Sequence, residues 1–140
     1  MIQQFVGMSQ IKGIVITGKG EGAFFTGLDW VKEQCRQKLG FELYPGTLNL
    51  KVGREDMLAM QTLAQQEGII LLPPSADFCQ ARCVKVAIGT IKGAVILPHV
   101  VDYYPDTLEV IAAEKVKDKL NLKDGDELIV TVKAGIDKSW

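Results

Sequence analysis

The chain has 140 residues, of which 47% are hydrophobic and 24% are charged; this composition is typical of one globular domain and excludes a largely disordered chain. Its 16 basic and 17 acidic residues are interspersed and leave a formal net charge of -1, so no overall positive field attracts nucleic acid or an anionic membrane. No apolar stretch approaches the ~18 residues that a membrane span needs, and no basic leader precedes a long apolar run. We therefore expect one cytoplasmic domain over residues 1–140, with no nucleic acid, membrane or obligate protein partner.

Three cysteines, Cys35, Cys79 and Cys83, occur in the sequence. Cys79 and Cys83 have three residues between them, and no second Cys/His pair follows, so the spacing does not match a zinc site. We expect these residues to be reduced and buried thiols.

A strand is predicted over residues 11–17, and it runs directly into a segment rich in glycine. This glycine segment, residues 18–23, reads Gly-Lys-Gly-Glu-Gly-Ala. Its missing side chains let backbone N–H groups converge on an anion, and Lys19 adds positive charge. The segment is neither a dinucleotide fingerprint nor a phosphate loop that ends in Lys-Ser/Thr, so an ordinary glycine turn is the alternative.

A helix is predicted next, over residues 28–39. Thr26, followed by Asp29, resembles an N-terminal capping pair, and Gly40 ends the helical pattern. Four apolar residues share one face of this helix: Leu28, Val31, Cys35 and Leu39.

The segment 41–52 has the turn Tyr44-Pro45-Gly46 at its centre and a strand after it. Strand alternation places Thr47 and Asn49 on one face and the leucines between and after them on the other. Mg²⁺ accepts neutral oxygen ligands and takes substrate phosphates at its remaining positions. The pair therefore predicts a metal site, with an exposed polar strand face as the alternative.

The remaining chain is dominated by predicted strands, at residues 69–72, 82–88, 93–97, 108–112 and 127–133. Residues 54–66 are predicted to be helical, with a short strand plus a loop as the alternative. A short basic helix is predicted over residues 113–120, with Asn121 at its C-terminal cap, and residues 123–126 form a turn. Six to seven short strands with two or three helices and no βαβ rhythm favour a mainly β fold, an antiparallel barrel.

Glu109 lies in the middle of the apolar strand at residues 108–112. A carboxylate there can accept a hydrogen bond or a proton from a substrate hydroxyl. A solvated carboxylate on an alternating strand is the alternative.

Several of these segments resemble the CTP-dependent riboflavin kinases, a family typical of archaea. The resemblance is strongest in the glycine segment and in Gly-Thr-Leu-Asn-Leu at residues 46–50. It extends to Leu-Gly-Phe-Glu at residues 39–42, Ile-Lys-Gly-Ala-Val at 91–95, Leu-Glu-Val-Ile-Ala at 108–112 and Leu-Asn-Leu-Lys-Asp-Gly-Asp at 120–126. Most of residues 53–90 have no good counterpart.

The resemblance implies a six-stranded cradle-loop barrel that phosphorylates riboflavin to FMN, with CTP as the donor, CDP as the second product and Mg²⁺ as the cofactor. It implies that Thr47 and Asn49 bind Mg²⁺ and that the flavin is contacted at Val101 and at Glu109, the candidate catalytic residue. Val101 stands where the family has Thr, and Glu114 where it has an apolar residue. The implied nucleotide-binding residues are Gly18, Lys19, Gly20, Glu21, Gly22 and Ala23, together with Glu114, Lys115, Val116 and Lys117.

Three alternatives stay open. One is a structural barrel that has lost catalysis. Of the other two, the first is a diverged paralogue with the same barrel and another acceptor. The second is a non-enzymatic nucleotide- or DNA-binding swapped-hairpin barrel, since such barrels share a Leu-x-x-Gly-Asp-like turn before a final strand. A DNA-binding barrel exposes clustered Lys and Arg residues, and its affinity falls steeply with salt. The near-neutral charge of this chain disfavours it.

Overall fold

A computed structural model of the chain describes residues 8–18, 21–77, 80–97 and 106–133. Strands dominate these residues, as the sequence predicts. They are β1 (Met8–Ile16), β2 (Leu48–Val52), β3 (Ile69–Leu71), β4 (Ala81–Ile88), β5 (Ile91–Leu97), β6 (Thr107–Ala112) and β7 (Glu127–Lys133). The α-helices are α1 (Glu21–Thr26), α2 (Asp29–Gln34), α3 (Met57–Ala64) and α4 (Val116–Lys119); a π-helical turn, Cys35–Leu39, continues α2, and a 3₁₀ turn, Arg54–Asp56, precedes α3.

Six of the strands form a closed antiparallel barrel. Hydrogen-bonded neighbours follow the order β4-β5-β6-β2-β1-β7, and β7 pairs back onto β4 through Val86↔Val132 and Ala87↔Thr131. The extra strand β3 pairs with the first half of β4, with Ile69 opposite Cys83. The predicted mainly β, six-stranded barrel is confirmed.

The core has two parts, one inside the barrel and one outside it. Alternate side chains of the strands fill the interior, among them Leu50, Val95 and Val130. On the outer face, α2 and the π-helical turn pack against β3, β4, β5 and β6. Strands β4, β5 and β6 are thus covered on both faces, so their sequences read as nearly continuous apolar runs. Burying each such aliphatic side chain stabilises the fold by about 1.5–3 kcal/mol.

The helices near the N-terminus differ from the sequence prediction at two places. Glu21, Gly22 and Ala23 belong to α1 and not to a loop. Thr26 ends α1 and does not cap the next helix, which begins after Leu28 with no side-chain cap. The predicted end of the helix is confirmed, because Gly40 takes the left-handed conformation with φ 83°.

Two other helices differ from the sequence prediction in their bounds. The helical prediction for residues 54–66 is confirmed, and the alternative of a strand plus a loop is wrong. The basic helix predicted over residues 113–120 is shorter in the structure and spans Val116–Lys119. Asn121, which follows it, has the left-handed conformation. Among the described residues, no helix is long and apolar enough to cross a membrane.

The buried thiols give a direct test of this packing. Burial raises the pKa of Cys35 to about 11 and the pKa of Cys83 to about 12, so at pH 8 both are protonated and unreactive. Cys79 lies outside the described residues and is removed by a Cys79→Ser substitution. We expect that variant to react with Ellman's reagent at pH 8 only after unfolding in urea, when two thiols appear. Rapid labelling of the native protein would contradict the packing of α2 against β4.

Candidate functional site

The glycine segment lies directly on the turn and strand that carry Thr47 and Asn49. A Cβ atom added at Gly18 would be 2.3 Å from Asn49 Nδ2, and one added at Gly22 would be 2.2 Å from Thr47 Oγ1. Both distances are far below a van der Waals contact, so only glycine permits this approach. Two segments that the sequence singled out separately therefore meet at one place.

Glu109 completes this group from the neighbouring strand. Asn49 and Glu109 are paired in the β2/β6 register, which puts their side chains on the same face. The Thr47 hydroxyl donates a hydrogen bond to Glu109 Oε2 over 3.2 Å. All three side chains are partly buried, so they line a recess and not the open surface.

The donor set of this group fits a hard cation such as Mg²⁺. Thr47 and Asn49 offer neutral oxygens, and a hydroxyl that donates its proton to Glu109 keeps its lone pairs for a metal. Gly18 and Gly22 pack closely against these two side chains, where any larger residue would clash with them. Within the described ranges no cluster of three His, Cys, Asp or Glu residues is present, and the carboxylate of this group is that of Glu109.

A cavity of about 220 Å³ lies beside the same turn. It is lined by the turn from Tyr44 to Leu48, by Val110 and Ala112 of β6, and by the segment from Glu114 to Lys117. The predicted nucleotide-binding segment at the start of α4 therefore shares one cavity with the turn that carries Thr47. The carboxylate of Glu114 lies 3.5 Å from Lys119 Nζ, so its negative charge is balanced at the surface.

Asp124 is a polar residue of this region that sequence reasoning missed. Its carboxylate accepts hydrogen bonds from the Thr17 hydroxyl and, over 3.3 Å, from Lys117 Nζ. The hydrogen bond from Thr17, and then that from Lys117, lowers the pKa of Asp124. Because Thr17 precedes the glycine segment and Lys117 lines the cavity, Asp124 ties the two predicted nucleotide-binding segments together. The sequence indicated only a turn here, since Thr17 and Asp124 are 107 positions apart.

The predicted site residues fall into four groups. Gly18, Gly22, Thr47, Asn49 and Glu109 meet in one recess, as described above. Ala23 lies exposed on α1, and the cavity wall contains Glu114, Lys115, Val116 and Lys117. Outside the described residues lie Lys19, Gly20 and Val101, and nothing is described of the side chain of Glu21.

Known proteins resemble this chain over most of its length. The family model for CTP-dependent riboflavin kinases, which carries the description "Domain of unknown function DUF120", matches residues 15–132. A riboflavin kinase of Archaeoglobus fulgidus is 40% identical over 129 residues, which are 90% of this chain and 55% of that protein. A riboflavin kinase of Methanocella arvoryzae is 35% identical over 129 residues, 90% of this chain and 58% of that protein.

A third relative gives the same picture. The riboflavin kinase of Pyrobaculum aerophilum is 36% identical over 124 residues, which are 86% of this chain and 59% of that protein. The chain therefore spans somewhat more than half of the length of the curated relatives that it matches. The match to the family model includes the recess and the cavity, because residues 15–132 contain both.

Proposed function

Because the chain belongs to the family of CTP-dependent riboflavin kinases, we propose that it transfers the γ-phosphoryl group of CTP to riboflavin, giving FMN and CDP. The observation that carries this proposal is the contact of the glycine segment with Thr47 and Asn49 beside Glu109. Phosphoryl transfer depends mainly on positioning and on neutralising charge, and a recess of this kind offers both.

The nucleotide is proposed to lie between the glycine segment and the cavity. Backbone N–H groups of residues 18–23 are proposed to receive the phosphates, because glycine has no side chain to hinder the approach of an anion. The segment from Glu114 to Lys117 lines the cavity, where the Lys117 ammonium is held by the Asp124 carboxylate. Asp124 connects both segments through Thr17 and Lys117 and so keeps their spacing.

Thr47 and Asn49 are the residues proposed to hold Mg²⁺. When bound, the cation neutralises charge on the phosphate oxygens. Glu109 fixes the direction of the Thr47 hydroxyl by accepting its proton in a hydrogen bond, which turns the lone pairs of Oγ1 away from β6.

Glu109 is also proposed to orient the ribityl 5′-hydroxyl of riboflavin. The oxygen of that hydroxyl forms a bond to the γ-phosphorus while the bond from this phosphorus to the bridging oxygen of CDP breaks. The hydroxyl proton passes to the Glu109 carboxylate or to solvent, which balances the step. Val101 is the proposed second flavin contact.

A diverged paralogue with another acceptor is the second candidate, because Val101 lacks the hydroxyl that the family has at this position. The two candidates differ in one measurement, the formation of FMN from riboflavin. A paralogue of this kind would consume CTP only when its own acceptor is added.

The donor proposal is tested by incubating the purified chain with riboflavin, Mg²⁺ and each nucleoside triphosphate in turn. We expect FMN, separated by chromatography, to form fastest with CTP and not to form without Mg²⁺, because buried polar groups left unpaired by the wrong base discriminate strongly. A reaction without protein is the control. Equal rates with CTP and ATP would contradict the donor assignment, and an absence of FMN with every nucleotide would contradict the acceptor.

A further inference from the structure

Thr26 joins the glycine segment to the turn that carries Thr47. It is the last residue of α1, and it is the only fully buried polar side chain in the described part of the chain. The Thr26 hydroxyl donates a hydrogen bond to the Gly22 carbonyl over 2.7 Å, and it accepts one from the Gly46 N–H over 2.7 Å. One oxygen atom thus bridges two segments that are about 20 residues apart in sequence.

Only one of these two bonds is expected from helix formation. A helical Thr often donates to the carbonyl four residues earlier, as Thr26 does toward Gly22. The bond from Gly46 has no such local cause, since it uses a free lone pair of the same hydroxyl to fix an amide of another segment. It holds the backbone immediately before Thr47.

The turn has a second anchor on its other side. The Tyr44 N–H donates to the Ala112 carbonyl of β6 over 2.9 Å. Gly46, whose N–H forms the first anchor, has a positive φ of 101°, and an added Cβ would contact nothing within 4 Å. Side-chain packing therefore does not fix this residue, and its hydrogen bond to Thr26 does.

We infer that Thr26 is a positioning residue that sets the distance between the proposed phosphate-binding segment and the proposed Mg²⁺-binding turn. This inference rests on the proposed function. Gly22 touches the Thr47 side chain directly, so any shift of α1 relative to the turn changes the space in which phosphate and Mg²⁺ must meet. The Thr26 side chain is fully buried and bonds to Gly22 and Gly46, so it acts through these two residues and not by contact with a ligand.

Two substitutions at Thr26 distinguish the effect of the hydroxyl from the effect of the side-chain shape. Thr26→Val keeps the volume and the β-branch and removes both hydrogen bonds, whereas Thr26→Ser keeps the hydroxyl and removes a methyl group. We expect calorimetric titration with CDP and Mg²⁺ to give a dissociation constant about tenfold higher for Thr26→Val and within about twofold of wild type for Thr26→Ser. The titration needs no turnover, and thermal unfolding without ligand shows that each variant is folded at the temperature used.

Hydrogen exchange of the wild-type protein tests the same idea without any substitution. If the bond from Gly46 to Thr26 favours ligand binding, the ligand must favour that bond by the same factor. We expect CDP with Mg²⁺ to slow exchange of the Gly46 amide about tenfold, while the Gln65 amide, which bonds to Thr62 in a remote turn, stays unchanged. This measurement decides the matter if Thr26→Val does not fold.

The failure of this inference can be told apart from failure of the proposed function. Wild-type protein that binds no CDP and forms no FMN overturns both. If the wild-type protein binds CDP, any one of three results overturns only the positioning role of Thr26. The first is that folded Thr26→Val does not differ from wild type in affinity, and the second is that Thr26→Ser loses as much affinity as Thr26→Val. The third is an exchange rate of the Gly46 amide that does not respond to the ligand.

Discussion

Replacing Asn49 with alanine will lower the turnover of CTP and riboflavin by on the order of 10²-fold or more, because it removes a positioned oxygen that acts mainly on the transition state. The barrel will stay folded. Asn49 pairs with Ile16 and with Glu109 through backbone positions of β1 and β6, and an alanine leaves these ladders intact. Steady-state kinetics at several Mg²⁺ concentrations, with thermal unfolding alongside, measure both parts of the prediction.

Two variants serve as controls for Asn49→Ala. Asn49→Asp keeps an oxygen ligand, so we expect it to retain more turnover than alanine and still to require Mg²⁺. Lys51→Ala changes an exposed residue of the same strand that pairs with Asp106, and an exposed ion pair contributes little to stability. Near-normal turnover of Asn49→Ala with unchanged Mg²⁺ dependence would remove both Thr47 and Asn49 from the site.

Gly22→Ala is expected to reduce turnover by about 10²-fold, since a displacement of roughly 1 Å at a reacting centre has effects of this size. The new Cβ would lie 2.2, 2.5 and 2.8 Å from Oγ1, Cγ2 and Cβ of Thr47, so Thr47 must move. Helix propensity alone would make the variant more stable by about 1 kcal/mol, because Gly22 lies within α1. A loss of activity would therefore result from the displacement of Thr47 and not from a less stable α1.

Gly53→Ala is the matched control for the Gly22 substitution. The nearest atoms to its Cβ would be those of the carboxylate of the exposed Glu55 side chain, the first at 3.1 Å, and that group can move away. We expect its kinetics to match wild type. A folded Gly22→Ala variant with wild-type turnover would show that the position of Thr47 against α1 does not matter for the reaction.

Local patterns in the sequence predicted most of the elements and the types of residue in the site. Alternation from Thr47 into β2 placed Thr47 and Asn49 on the face opposite to the buried leucines, and Gly40 indicated the end of a helix. These features depend on residues close together in the chain, where periodicity and backbone preference decide the conformation. The resemblance of the glycine segment and of residues 46–50 to one family was visible at the same level, and the family is confirmed.

The meeting of these segments depended on the closed barrel. Thr47 and Glu109 are 62 positions apart and touch because β2 and β6 pair in one register, and a shift of one residue would turn each side chain to the other face. The same holds for Thr26, which the sequence predicted as a helix cap. Its hydroxyl bonds to Gly46 only because α1 packs against the turn before β2. The chain alone thus determined which residues carry oxygens and which lack side chains, whereas barrel closure decided which of them meet, since contacts across the barrel leave no periodic trace in the sequence.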